Sequence, residues 1–180
     1  MKGREIVIGV TGGIAAYKTA ALVSKLVQSG ADVTVAMTTA AQKFVGPTTF
    51  AALTGRPVAT AVFDEGHYPV GAHIELVERA ELLCVAPATA DFMARIANGF
   101  ADDLLSTLYL SFTRTVLLAP AMNCKMWEKS SVQRNVAQLR EDGVQFVDPG
   151  EGWLSCRKKG VGRMAEPDEI LTAIGQLLSN

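Results

Sequence analysis

Asn123 stands in the stretch Ala119-Pro120-Ala121-Met122-Asn123-Cys124-Lys125-Met126-Trp127, directly after an apolar run over 115–119. That run reads as a buried parallel strand, stopped where Pro120 can no longer donate to a ladder. The Asn123 amide then sits just past a strand's carboxyl end, where open α/β sheets bind ligands. An amide offers two donors and an acceptor without charge. Asn is also a frequent helix N-cap, and spacing alone leaves both roles open. His73 precedes an amphipathic segment over 73–80, which would let it face a cleft, and imidazole is a natural acid or base near neutrality. Cys156 lies in a glycine-rich stretch beside Arg157, Lys158, Lys159 and Arg163. Cationic neighbours lower a thiol's pKa, so Cys156 is the best candidate for a reactive thiol. The same four charges could instead grip a phosphorylated substrate or form a solvated surface run.

Three loops could hold a cofactor. Gly9-Val10-Thr11-Gly12-Gly13 joins an apolar run to a helical pattern, with glycines for close approach and a helix start with free N–H groups. It is neither G-x-G-x-x-G nor a P-loop, so phosphate binding and a plain tight turn stay equally open. The second apolar run ends in Thr38-Thr39, where an NAD site would carry a carboxylate for the ribose hydroxyls. Two hydroxyls there favour a mononucleotide phosphate or a flavin edge, with a helix cap as the alternative for Thr38. The third loop, Pro87-Ala88-Thr89-Ala90-Asp91, has small residues that leave room for a ligand and two side chains that can hydrogen-bond it.

The elements that must position these residues alternate along the chain. Strands are expected over 5–10, 32–37, 82–86, 115–119 and 144–147, with a weaker one over 58–62. Helices are expected over 14–28, in two short pieces within 38–55, over 73–80, 90–97 and 102–111, from the Asn123 loop to 141, and over 166–178. Residues 148–163 read as a functional flap, rich in glycine and charge. This pattern predicts one domain over 1–180, a three-layer doubly wound parallel sheet of flavodoxin-like or Rossmann-like type. Hydrophobic residues at 49% and charged residues at 19% exclude a disordered chain. A net charge of −1 gives no electrostatic case for nucleic acid or an anionic membrane, and no apolar run reaches the length of a membrane span. Three widely spaced cysteines suggest neither a disulfide framework nor a metal site, and a cytoplasmic location is expected.

Three runs together resemble the flavin-containing cysteine decarboxylases: Gly71-Ala72-His73-Ile74-Glu75-Leu76, the stretch from Pro120 to Trp127, and Cys156 through Gly160-Val161-Gly162-Arg163-Met164-Ala165-Glu166-Pro167. The stretch Gly9 to Lys18 and the Pro87 loop fit the same family. The resemblance covers nearly the whole chain and implies FMN as cofactor. It implies that Thr11, Gly12, Gly13, Ile14, Thr38, Pro87, Ala88, Thr89, Ala90 and Asp91 hold the flavin. It implies His73 as the active-site histidine, Asn123 with Ala121 and Met122 as the substrate-binding residues, and Cys156 as proton donor. It also implies a homotrimer or an assembly of trimers, with His73 serving a neighbouring subunit's flavin.

The implied reaction is decarboxylation of 4′-phosphopantothenoylcysteine to 4′-phosphopantetheine in coenzyme A biosynthesis. An N-acylated cysteine carboxylate has no electron sink. Oxidising its CH₂–SH to a thioaldehyde places a C=S group β to the carboxylate, CO₂ leaves to give an ene-thiolate, and the flavin returns the hydride while a thiol delivers a proton. The sequence departs from the family where Arg157 and Lys158 stand in place of the glycine and acidic residue often found there, and where Asp91 replaces the Asn that some members carry. Two alternatives stand beside this reading: an oxidative peptidyl-cysteine decarboxylase that stops at the ene-thiol, and a non-catalytic flavin-binding regulatory subunit.

Overall fold

The computed structural model describes residues 1–63, 66–153 and 157–179. Its centre is a five-stranded parallel sheet in the order β2-β1-β3-β4-β5. These strands are β1 (Glu5–Val10), β2 (Asp32–Met37), β3 (Leu82–Ala88), β4 (Thr115–Pro120) and the short β5 (Gln145–Phe146). Helix α1 (Ala16–Gln28) carries the chain from β1 to β2 at one edge, and the chain then returns past β1 to lay down β3 on its other side. The loops after β1 and β3 therefore leave in opposite directions, which opens a crevice at their carboxyl ends.

Alternation along β1 divides the core. Ile6, Ile8 and Val10 face Leu22 and Leu26 of α1, together with Ile170 and Ile174 of α8 (Pro167–Leu177). Val7 faces the opposite layer, with Leu83, Val85, Leu76 of α3 (Ala72–Arg79), Phe92 of α4 (Ala90–Ala97), Leu105 of α5 (Leu104–Ser111) and Leu139 of α7 (Ser130–Glu141). All these side chains are buried, and each contributes about 1.5–3 kcal/mol relative to an exposed position. Gly9 serves this packing and not a ligand: a Cβ there would lie 2.7 Å from Leu105 Cδ1. The doubly wound, three-layer fold expected from the sequence is the observed one.

Some boundaries differ from expectation. Residues 58–62 make only a single parallel bridge, Ala59 to Ala36, beside α2 (Pro47–Thr54) and not a strand. Pro120 ends β4 as expected, but Pro87 does not end β3. β3 runs on through Pro87, and Ala88 pairs with Pro120 of β4 at the last rung, where the ladder continues through Ala121 N donating to Ala88 O at 3.1 Å. The segment after Asn123 is two helices, α6 (Cys124–Trp127) and α7. The expected flap is an antiparallel hairpin of β6 (Gly150–Trp153) and β7 (Lys159–Arg163), rich enough in glycine to carry no strand signature.

Candidate functional site

The carboxyl ends of β1, β2, β3 and β4 and the hairpin enclose one cavity of about 870 Å³. Its floor is the loop after β1, where Thr11, Gly12, Gly13, Ile14 and Ala15 all line the space. The Thr11 hydroxyl donates to Pro87 O at 2.6 Å and accepts from Thr89 N at 3.1 Å, which ties the first and third loops together beneath the cavity. Pro87 and Ala88 are buried in β3 below this junction and do not line the cavity, so their contribution is to the floor's shape. A Cβ on Gly12 would collide with Ala40 Cβ, so only glycine lets the loop pass there. Among the described residues, the backbone N–H groups of Gly12, Ile14 and Ala15 have no acceptor. Three unused donors where an α-helix begins make a cradle for an anionic group such as a phosphate.

The other expected cofactor contacts converge on the same space. Thr38 lines the cavity and its hydroxyl also accepts from Ala41 N at 3.2 Å, so the cap and the cavity position coincide. Thr89 caps α4 through Phe92 N at 3.3 Å and lines the wall with Ala90 and Asp91. Asp91 pairs with Arg95 at 2.9 Å, and Arg95 also pairs with Asp102. Both ion pairs hold the Arg95 guanidinium in its charged form, and the bond from Arg95 lowers the Asp102 carboxyl below its ordinary range. Arg95 and Asp102 line the cavity but have no motif around them that spacing could have revealed.

At the carboxyl end of β4, Ala121, Met122 and Asn123 form the turn that follows the strand, and all three line the cavity. Asn123 Oδ1 accepts from Lys125 N at 2.8 Å and caps α6. Its Nδ2 has no partner among the described residues, leaving two N–H donors for a bound carboxylate or carbonyl. The helix-cap reading of Asn123 is therefore realised on its oxygen, and its nitrogen remains available for the ligand reading.

The hairpin roofs this turn. Met122 N donates to Gly162 O at 2.9 Å, and a Cβ on Gly162 would collide with Met122 O. A Cβ on Gly160 would come within 2.9 Å of Cys124 Cβ. Glycines thus let the hairpin lie directly on the loop that carries Asn123. Trp153, Arg163 and Met164 line the cavity from this side; of these only Arg163 was foreseen, as one of four charges that could grip a substrate. Lys18, also unforeseen, lines it from the first turn of α1.

Of the remaining expected residues, His73 does not line the cavity of its own chain. It is at the start of α3 and half-buried. Among the described residues its Nδ1 is buried without a hydrogen-bond partner, an uncommon state for a buried polar atom. Cys156 lies outside the described residues. Arg157, Lys158 and Lys159, beside it, are exposed. Cys84 is mid-strand and its burial pushes the thiol up to about 12, which fits a packed hydrophobe, not a nucleophile. Among the described residues no group of three or more His, Cys, Asp or Glu side chains could hold a metal ion, and no helix is long and apolar enough to cross a membrane.

Comparison with known proteins points the same way. A family model described as flavoprotein matches residues 1–179. The coenzyme A biosynthesis bifunctional protein CoaBC of Bacillus subtilis is 46% identical over 171 residues, which are 95% of this chain and 42% of that protein. The chain therefore spans less than half the length of such relatives. Among solved structures, a PPC decarboxylase mutant complexed with pantothenoylaminoethenethiol superposes with a TM-score of 0.87 at 25% identity, covering 99% of this chain and all of the other. The FMN-dependent cysteine decarboxylase SpaF superposes with a TM-score of 0.82 at 33% identity over 97% of each chain.

Proposed function

This chain belongs to the flavoprotein family, and from that premise we propose that it is an FMN-dependent decarboxylase of 4′-phosphopantothenoylcysteine acting in coenzyme A biosynthesis. The observation that carries this reading is that one cavity holds both the unused donors of the loop after β1 and the unpaired Asn123 amide donors. Gly12, Ile14 and Ala15 would receive the FMN phosphate on their N–H groups, with Thr38 and Thr39 beside them. Thr89, Ala90 and Asp91 would flank the ring. When bound, FMN supplies the reversible two-electron oxidation that gives the cysteinyl carboxylate an electron sink.

The chain's own residues then do the rest. The Asn123 amide holds the substrate carboxylate by neutral donors, so the carboxylate is oriented without the strong stabilisation an Arg would give its charged ground state. The Met122 turn and the glycine hairpin close over it and exclude water. Cys156 supplies the proton that completes the saturated product. Exposed Arg157, Lys158 and Lys159 on the hairpin suit a phosphorylated substrate better than a neutral peptide.

We also propose a homotrimeric core acting in the cytoplasm, where its thiols stay reduced. The buried, unpartnered Nδ1 of His73 and the exposed apolar side chains of Ile14, Tyr17 and Ile74 support an assembly in which His73 completes a neighbour's cavity. The test is the visible spectrum of the purified protein followed by turnover of phosphopantothenoylcysteine and, separately, of a peptide ending in cysteine. Flavin absorbance with CO₂ release from the first substrate and not the second is the expected result. A protein that rejects FMN would refute the reading.

A further inference from the structure

Lys18 is only 7% exposed, yet it lines the cavity. Its Nζ donates to Met164 O at 3.3 Å and to Glu166 Oε1 at 2.9 Å. The same Glu166 oxygen receives Arg163 Nη2 at 2.5 Å. Met164 and Arg163 are where β7 leaves the hairpin, and both line the cavity. One residue earlier, Gly162 is bonded to Met122 in the turn that carries Asn123. A continuous chain of contacts therefore runs from the first turn of α1, next to the glycine loop, to the substrate turn.

An ion pair holding α1 to α8 would account for Lys18 only if those helices needed it. Leu22 and Leu26 already join them through an apolar core shared with Ile170 and Ile174. The Glu166 side chain is half-exposed, so the pair with Lys18 contributes little to holding the helices together. What this one does supply is direction, since it fixes both a main-chain carbonyl and the carboxylate that holds Arg163.

We infer that Lys18 is a positioning residue for the substrate side of the cavity: through Met164 O and Glu166 it holds the exit of β7 and the Arg163 guanidinium, and so sets the placement of the Met122–Asn123 turn. The inference rests on the decarboxylase reading for its kinetic consequence but not for its structural one.

The experiment uses FMN-reconstituted protein carrying Lys18→Met, Lys18→Arg or Glu166→Gln. Hydrogen exchange without substrate should quicken about tenfold at Met122 and over 159–164 in Lys18→Met, with β1 and β3 at wild-type rates and FMN affinity within about threefold. In turnover, KM for phosphopantothenoylcysteine should rise about tenfold while kcat falls less than about threefold, and Lys18→Arg should recover most of both changes. Glu166→Gln, which keeps the cap geometry of α8, should reproduce the exchange pattern. Unaltered exchange in the hairpin, equal acceleration throughout the sheet, loss of FMN binding, or no recovery by Lys18→Arg would each overturn the inference. If the wild-type protein turned over no cysteinyl carboxylate, the proposed function would fall and the exchange pattern alone would decide the role of Lys18.

Discussion

The backbone nitrogen of Met122 is hydrogen-bonded to the carbonyl oxygen of Gly162, so the strand that roofs the cavity is stitched to the turn that presents Asn123. Gly162 has φ +146, a region side chains rarely adopt, and any Cβ there would strike Met122 O. Gly162→Ala should therefore lift β7 from the turn. We expect KM for the substrate to rise by about tenfold or more with FMN affinity nearly intact, measured by steady-state kinetics and flavin titration. A variant with wild-type KM would separate the hairpin from substrate binding.

Gly12 provides a matching test on the flavin side. Gly12→Ala must displace either the loop or Ala40, because the added carbon would overlap Ala40 Cβ. Its FMN affinity should drop about a hundredfold, the scale of about 2.7 kcal/mol, read by quenching of flavin fluorescence. Gly46→Ala is the control, since open space surrounds that position and its φ of −70 suits any residue. Equal affinities for the two variants would remove the glycine loop from the FMN site.

The position of His73 outside its own chain's cavity predicts complementation. His73→Asn and Asn123→Asp should each be inactive alone. Subunits mixed after mild dissociation should regain activity, because some cavities then pair an intact His73 from one chain with an intact Asn123 from another. Mixtures that stay inactive would place His73 outside the shared site.

Cys84 carries an alkaline signature. Burial raises its thiol from 9.0 to about 12, so between those values the unfolded chain ionises while the native one does not. Its contribution to stability is complete below pH 9 and is lost as pH rises towards 12. Cys84→Ala should flatten this alkaline decline in urea midpoints, and Cys84 in the native protein should resist alkylation at pH 8. Rapid native-state labelling of Cys84 would contradict its burial.

How much of this was legible in the sequence depended on periodicity. Continuous apolar runs marked β1 to β4 correctly, because strands covered on both faces need apolar residues throughout. Motif residues at strand ends, Thr11, Thr38, Thr89 and Asn123, were found because the fold delivers such positions to one crevice. Pro120 marked the end of β4, but Pro87 misled, because it falls where the β3–β4 register shifts between Val85 and Ala88 and its missing donor breaks no ladder bond. The hairpin was read as a flap without strands because close approach to Met122 and Cys124 selects glycine over β-formers. Lys18 could not be placed from spacing, because its partners Met164 and Glu166 are distant in sequence, and Arg95 and Asp102 had no motif around them. Asn123 shows why the competing explanations stayed open, for its oxygen caps a helix while its nitrogen has no partner among the described residues.

The central claim is tested most directly by single turnover of FMN-loaded protein with phosphopantothenoylcysteine, comparing wild type with Cys156→Ser by mass spectrometry of the product. Wild type should release CO₂ and yield the saturated thiol, while Cys156→Ser should release CO₂ and accumulate a product lighter by two hydrogens. Saturated thiol from both proteins, or no CO₂ from wild type, would contradict the account.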